Sequence, residues 1–320
     1  MIWLTWRQHR RQALFTLLGL AALAAFVVPT GLSMRHTFTR LGLADCVTTA
    51  GPGCSTNIEK FSSTYGSLVL VSVLLLVVPL MIGLFWGAPV VAREVEQGTH
   101  RMIWTQGISR RYWAFVKCGL LGGAVAAFAL VYGLGVSWWY EPLGQIDVRQ
   151  TRFTEVFFDM QGMAPVGYTL FGVALGVFAG TLLPKVLPAM ALTLAGFVGV
   201  RAAVALLARP HYMTPVADDQ IIQDGTGGQG NLAGGWVLSK EVRQADGTFV
   251  TSGTVRCPPA ADGIPCASDP ALGLRPGAYN HQVFQPGDRF WTFQWIETGV
   301  FVALAALLIW FAIRRIRRIA

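Results

Sequence analysis

The chain has 320 residues, of which 53% are hydrophobic and only 13% charged, with a formal net charge of +8. That charged fraction is about half of what a soluble domain carries, so composition excludes an ordinary soluble globular protein. Arginine outnumbers lysine, which occurs only at Lys60, Lys117, Lys185 and Lys240. Arginine's GC-rich codons point to a high-GC bacterial genome.

In chain order, the first element is the stretch MIWLTWRQHRRQALF, where Trp3 and Trp6 accompany Arg7, Arg10 and Arg11. It reads either as an amphipathic helix at the membrane interface or as the flank of the first span. Six apolar windows then reach the roughly 20 residues a bilayer core demands: 13–32, 67–87, 113–138, 163–183, 189–208 and 293–313. The first is no cleaved signal peptide, because no small-residue cleavage site follows and five more spans do. Spans four and five are separated by LPKVLP, whose prolines stop one helix and start the next.

Span four carries Gly172, Gly176 and Gly180, a small face that permits close helix approach within the chain or across a dimer seam. Arg201 lies in span five, about 13 Å from its outer end at 1.5 Å per residue. Glu297 lies at compatible depth in span six. A charge at that depth needs a partner, so an Arg201–Glu297 pair is expected, either lining a pathway or clamping two helices. Between spans five and six, residues 210–291 are rich in Gly, Pro and Asp, with short strands expected at GGWVLSK and GTFVTSGTVR. Asp218 and Asp219 in this segment read as a solvated polar turn rather than a cation site.

Charge in the short loops orients the chain. The N-terminal tail, the 88–112 loop, Lys117, Lys185 and the RRIRR tail hold 13 basic residues against Glu94 and Glu96; all remaining positions hold 12 basic and 15 acidic residues. The difference, +11 against −3, makes the basicity topological rather than a nucleic-acid footprint. Both termini are therefore expected to be cytoplasmic. Cys46, Cys54, Cys257 and Cys266 all fall on the opposite, oxidising face. Three pairings are open to them, and proximity in sequence favours Cys46–Cys54 with Cys257–Cys266 over four free thiols.

No constellation for covalent chemistry is present: the sequence has no HExxH, no GxSxG and no GxxxxGK[ST] phosphate loop. The five histidines all lie outside the predicted spans, so no metal site is expected within them. The fold class that follows is an all-α polytopic membrane protein with six transmembrane helices. Its expected regions are 1–209 (N-terminal helix and helices one to five), 210–291 (a small extracytoplasmic domain) and 292–320 (helix six and the basic tail).

One polar interruption remains, between spans two and three. Thr99 can cap a short helix reaching Gln106, Gly107 can end it, and Ser109 can cap span three. Such a two-turn helix presents Met102, Ile103 and Trp104 beside Arg101, as an element built to dock on something would. Here the order Glu94, Glu96, Gly98, Thr99, Ser109, Arg110, Lys117 resembles the permease subunits of ABC type-2 exporters. It departs from them in carrying Gln106-Gly107 where a proline-containing turn is usual. WRQHR near the start and RFWTFQWIE near the end look like actinobacterial members.

The resemblance implies that 99–106 couples to a separate ABC ATPase, present in two copies that bind the ATP and Mg, with no cofactor in this chain. It also implies a second permease copy, as in a homodimer, seated among the lipids of a bacterial plasma membrane. The activity implied is ATP-driven export of an amphipathic substrate such as a lipid, peptide or antibiotic. A non-transporting membrane sensor, immunity protein or anchor is the competing reading.

Overall fold

A computed structural model describes residues 2–48, 53–96, 110–146, 152–183, 185–223, 234–257, 266 and 269–316. The chain divides into two units: Met1–Asp147 with Glu155–Arg209 and Thr292–Ala320, and Val148–Thr154 with Pro210–Trp291. Among the described residues, six helices are long and apolar enough to cross a membrane: Leu17–Arg40, Cys54–Arg93, Gly119–Ile146, Ala164–Leu182, Val186–His211 and Gly287–Arg315.

Span one belongs to a single helix, α1, running Ile2–Arg40 without a break. The N-terminal stretch is thus continuous with the first span instead of forming a separate interfacial helix. At 1.5 Å per residue its 39 residues reach about 58 Å, well beyond a hydrocarbon core of about 30 Å. Pro29 lies inside α1. Beside it, the Thr30 hydroxyl donates to Phe26 O at 2.6 Å and accepts from Trp139 Nε1 at 2.9 Å, which fastens span one to span three.

Among the described residues, the stretch between Leu43 and the apolar part of span two is helical. Helix α2 (Leu43–Thr48) and α3 (Cys54–Tyr65) are clipped by the Cys46–Cys54 disulfide. Phe61 is buried under them, packed with Met34, Leu43 and Trp139. Span two is segmented into α4 (Val69–Leu76), α5 (Val78–Ile82), a π-helical turn (Gly83–Gly87) and α6 (Ala88–Glu96). Pro79 stands at the α4–α5 joint, where its missing N–H breaks the ladder. Span three is α7 (Arg110–Ile146), span four α9 (Ala164–Leu182), and a short buried helix α8 (Glu155–Met160) lies between them. Span five is α10 (Val186–Ala203) followed by a π-helical turn at Val204–Ala208, and span six is α11 (Phe290–Ile316).

Span four is the buried centre of this unit, and the glycine stripe is the reason. A Cβ on Gly176 would lie 2.5 Å from Ala88 N and 2.7 Å from Gly87 C. One on Gly83 would lie 2.8 Å from Gly172 C, and one on Gly180 2.9 Å from Ala92 N. Spans two and four therefore touch backbone to backbone, so the stripe is used within the chain. The absence of side chains allows the dispersion contact that drives helix association in lipid.

The second unit is built on a four-stranded antiparallel sheet in the order β1-β4-β2-β3. Its strands are β1 (Val216–Ile221), β2 (Trp236–Arg243), β3 (Phe249–Ser252) and β4 (Tyr279–Gln285). Expected strands at GGWVLSK and GTFVTSGTVR correspond to β2 and β3. Asp218 and Asp219 lie on β1 rather than on a turn, and Asp219 faces His281 of β4 with Oδ1 2.5 Å from Nδ1. The turn joining β2 to β3 is held by Thr248, whose hydroxyl donates to Asp246 Oδ1 at 2.6 Å and keeps that carboxyl below its usual value. The Cys257–Cys266 disulfide closes the far loop, and Cys257 packs with Val242, Leu274 and Ala278. Phe153 stacks on Trp236 and meets Phe290 edge-on, which joins the 148–154 segment to this unit.

Candidate functional site

Two polar constellations stand out in the six-span unit. The first is a buried ion cluster drawn from α8 and spans four, five and six. Arg209 grips Glu297 with two parallel bonds, Nε to Oε2 at 2.8 Å and Nη2 to Oε1 at 2.6 Å. The fork geometry is the one guanidinium and carboxylate favour. The same Nη2 lies 2.5 Å from Asp159 Oδ1, while Asp159 Oδ2 takes Arg201 Nη2 at 2.5 Å. Tyr168 completes the set, its hydroxyl 2.8 Å from Asp159 Oδ1 and 2.5 Å from Glu297 Oε1. The single phenolic proton serves one of these carboxylates at a time.

Burial makes this cluster consequential. Side-chain exposure is 1% for Arg209, 0% for Glu297, 8% for Asp159 and 13% for Arg201. Isolated charges at such sites are costly, and removing one partner leaves the other uncompensated. Two arginines and two carboxylates balance in charge, although Arg209 Nη1 is buried without a hydrogen-bond partner among the described residues. Aromatic rings close the remaining faces: Arg209 lies 4.4 Å over Phe158, Arg201 4.7 Å over Tyr168, and Tyr168 meets Phe301 edge-on.

The expected direct Arg201–Glu297 pair is thus replaced: Arg201 bonds Asp159, and Glu297 bonds Arg209. The cause is local backbone geometry. On an unbroken α-helix, eight residues would set Arg201 and Arg209 about 80° apart, and the extra residue of a π-turn cuts this to about 20°. The π-helical turn at Val204–Ala208 therefore turns both guanidiniums to one face, where Arg209 reaches Glu297 more closely. Sequence reasoning missed Asp159 and Arg209 because one lay in a presumed loop and the other one position beyond the predicted end of span five at 208. The available signal was an acid enclosed by large apolar residues, Phe157-Phe158-Asp159-Met160.

Gln294 supports the cluster from one turn away. Its Oε1 accepts the N–H groups of Met163 and Ala164 at 3.0 and 2.7 Å, and its Nε2 donates to Phe158 O at 2.8 Å. It thereby satisfies the orphan donors opening span four and a carbonyl near the end of α8, in a place that water does not serve. Ser137 Oγ and Gly133 O take the Gly162 N–H between them. Gln294→Leu should cost at least about 3 kcal/mol, since each buried unsatisfied group costs about 1–3 kcal/mol. Gln294→Glu keeps the acceptor but buries a third carboxylate beside the cluster with one oxygen facing Phe158 O, so it should not recover the loss. Thermal melting of the detergent-solubilised protein reads both.

The second constellation gathers helix ends. Glu96 Oε2 accepts the Val186 N–H at 3.1 Å, placing a carboxylate on the N-terminus of span five. Arg315 Nε donates to Thr181 O at 3.0 Å, placing a cation at the C-terminal end of span four. Of the other residues expected in this region, Glu94 lies in α6 and Arg110 opens α7. Gly98, Thr99, Arg101, Met102, Ile103, Trp104 and Ser109 lie outside the described residues, as does the expected helix 99–106.

Cys46–Cys54 and Cys257–Cys266 are both bonded, with sulfurs 2.04 Å apart in each. Among the described residues, no group of three or more His, Cys, Asp or Glu side chains is placed to hold a metal ion.

Comparison with curated proteins and with solved structures gives no match. Residues 17–209 match the family described as ABC-2 membrane transporter related, a stretch that includes spans one to five and Arg201 and Arg209 of the cluster. With more than half its length matched, the chain belongs to the ABC-2 membrane transporter related family and is a multi-pass transmembrane permease subunit.

Proposed function

We propose that this permease subunit belongs to an ATP-driven exporter of the bacterial plasma membrane and moves an amphipathic substrate such as a lipid, peptide or antibiotic-like molecule. The energy comes from two copies of a separate ABC ATPase, which bind ATP and Mg; this chain does no covalent chemistry and carries no cofactor. It acts as a homodimer with a second permease copy. Residues 99–106 form the docking element, with Thr99, Arg101, Met102, Ile103 and Trp104 in contact with the ATPase and Glu94, Glu96, Gly98, Ser109 and Arg110 framing it.

The observation that carries this reading is the Glu96–Val186 bond, taken with the family. The foot of span two leads directly into 97–109 and is also tied to the start of span five. A push on the docking element reaches span five through that bond and span four through the glycine contact. An even number of spans puts both termini on one face, and the charge difference between loops assigns that face to the cytoplasm. The 210–291 segment then lies outside, where its disulfide is chemically stable.

Affinity purification of the chain from its native membrane should recover a separately encoded ATPase. Combining Arg101→Glu with Trp104→Asp should abolish that recovery while leaving the permease folded. If the chain purifies alone and stimulates no partner ATPase, a non-transporting sensor or anchor becomes the better reading.

A further inference from the structure

We infer that the ends of spans one and three form a binding site for a zwitterionic phospholipid headgroup, one that pairs a phosphate with an ammonium. The site is a cavity of about 310 Å³ lined by Arg35, Phe38, Thr39, Glu141, Pro142 and Gln145. It has no part in the buried ion cluster or the helix-end contacts, and it does not depend on the transport reading.

Its charges come first. Arg35 Nη2 bonds Glu141 Oε2 at 2.7 Å and Trp138 O at 2.5 Å, and the guanidinium lies 4.8 Å over the Trp138 ring. Both side chains remain accessible, at 32% and 40% exposure. Among the described residues Arg35 Nε is buried and donates to no acceptor, and Glu141 is engaged through one oxygen only. A site made of one cation beside one anion is neutral. A simple anion would leave Glu141 opposed, and a simple cation would leave Arg35 opposed. A neutral ligand carrying both charges satisfies both, its phosphate toward Arg35 and its ammonium toward Glu141. The Thr39 hydroxyl, which donates to Arg35 O at 3.1 Å and so offers the ligand an acceptor, and the Gln145 amide add polar groups of the kind that orient a headgroup.

Depth comes second. Arg35 is five residues from the end of its span at Arg40, and Glu141 five from the end of its own at Ile146. About one and a half turns from a helix end is the level of the headgroups, where tryptophan and tyrosine collect; Trp138, Trp139 and Tyr140 are all there.

A third observation favours a lipid over a free zwitterion. Below Arg35 on α1, Leu32 and Val28 follow at helical spacing and are exposed. Below Glu141 on α7, Trp138, Leu134 and Val131 do the same. Each stripe runs from the cavity residues toward mid-span, as the acyl chains of a bound phospholipid would.

The test uses the purified full-length chain in detergent, offered equal amounts of phosphatidylethanolamine and phosphatidylglycerol with matched acyl chains, and read by native mass spectrometry. Phosphatidylethanolamine should be retained about tenfold over phosphatidylglycerol. Glu141→Gln should erase that preference, and Gln145→Trp, which fills the cavity while leaving the ion pair intact, should lower phosphatidylethanolamine retention. Added phosphoethanolamine separates the sources. If it displaces the lipid, the zwitterion alone is recognised; if the lipid persists, the acyl stripes contribute as proposed. Equal retention of the two lipids by the unaltered chain, or undiminished phosphatidylethanolamine retention in both variants, overturns the assignment.

Discussion

Arg209→Met should be the most destabilising single charge substitution in the six-span unit, by about 3–5 kcal/mol, the usual consequence of stripping one partner from a buried ion pair. Arg209 supplies both bonds of the Glu297 fork and one of the two cations on Asp159. Without it, two carboxylates face one arginine and the cluster carries a buried net negative charge. Adding Glu297→Leu restores neutrality, since Asp159 keeps Arg201, and should recover a large part of the loss. Arg201→Met should cost clearly less, because Arg201 is more exposed and Asp159 retains Arg209. Thermal unfolding of the four proteins in one detergent gives the ranking. Equal losses for Arg209→Met and Arg201→Met, or no recovery in the double variant, would refute the account of the cluster as a compensated set.

The second large effect belongs to the glycine contact. Gly176→Leu should prevent normal packing of spans two and four, because even its first carbon meets Ala88 N and Gly87 C inside contact distance. Backbone cannot yield as a side chain tip does, so the helices must separate or tilt. Gly176→Ala should already cost about 1–3 kcal/mol, the range for overpacking. Gly122→Ala and Gly199→Ala, where an added Cβ meets nothing within 4 Å, should be neutral or slightly stabilising, as helix propensity favours alanine by about 1 kcal/mol. If Gly176→Ala behaves like those controls in thermal melting and partner-ATPase stimulation, the close approach is not needed for stability or for transmission.

The spans were legible because membrane crossing depends on the length of an apolar run, a local property. Their ends were not: α1 continues to Arg40 and α7 to Ile146 through residues polar enough to resemble loops. Strands β2 and β3 announced themselves by Trp, Val, Phe and Thr. Strands β1 (VADDQI) and β4 (YNHQVFQ) did not, since the extended state of β1 comes from pairing with β4 and that of β4 from pairing with β1 and β2. Arg201 and Glu297 were recognisable as expensive residues in apolar surroundings. Their true partners were not, because the match depends on one extra residue in a helical turn and on α8, too short to show any period.

The chain passes between its two units at four points, and three of them lie beside the ion cluster. Asp159 follows the Thr154–Glu155 crossing by four residues, Arg209 is the last residue before another, and Glu297 follows the Trp291–Thr292 crossing by five. One electrostatic rivet therefore ties together, within the six-span unit, three segments that are far apart in the chain. A displacement of any one of these segments is shared with the other two before it can bend a span. A rivet made of charge in a dry interior also fails abruptly, because the first water to enter weakens every bond in it together.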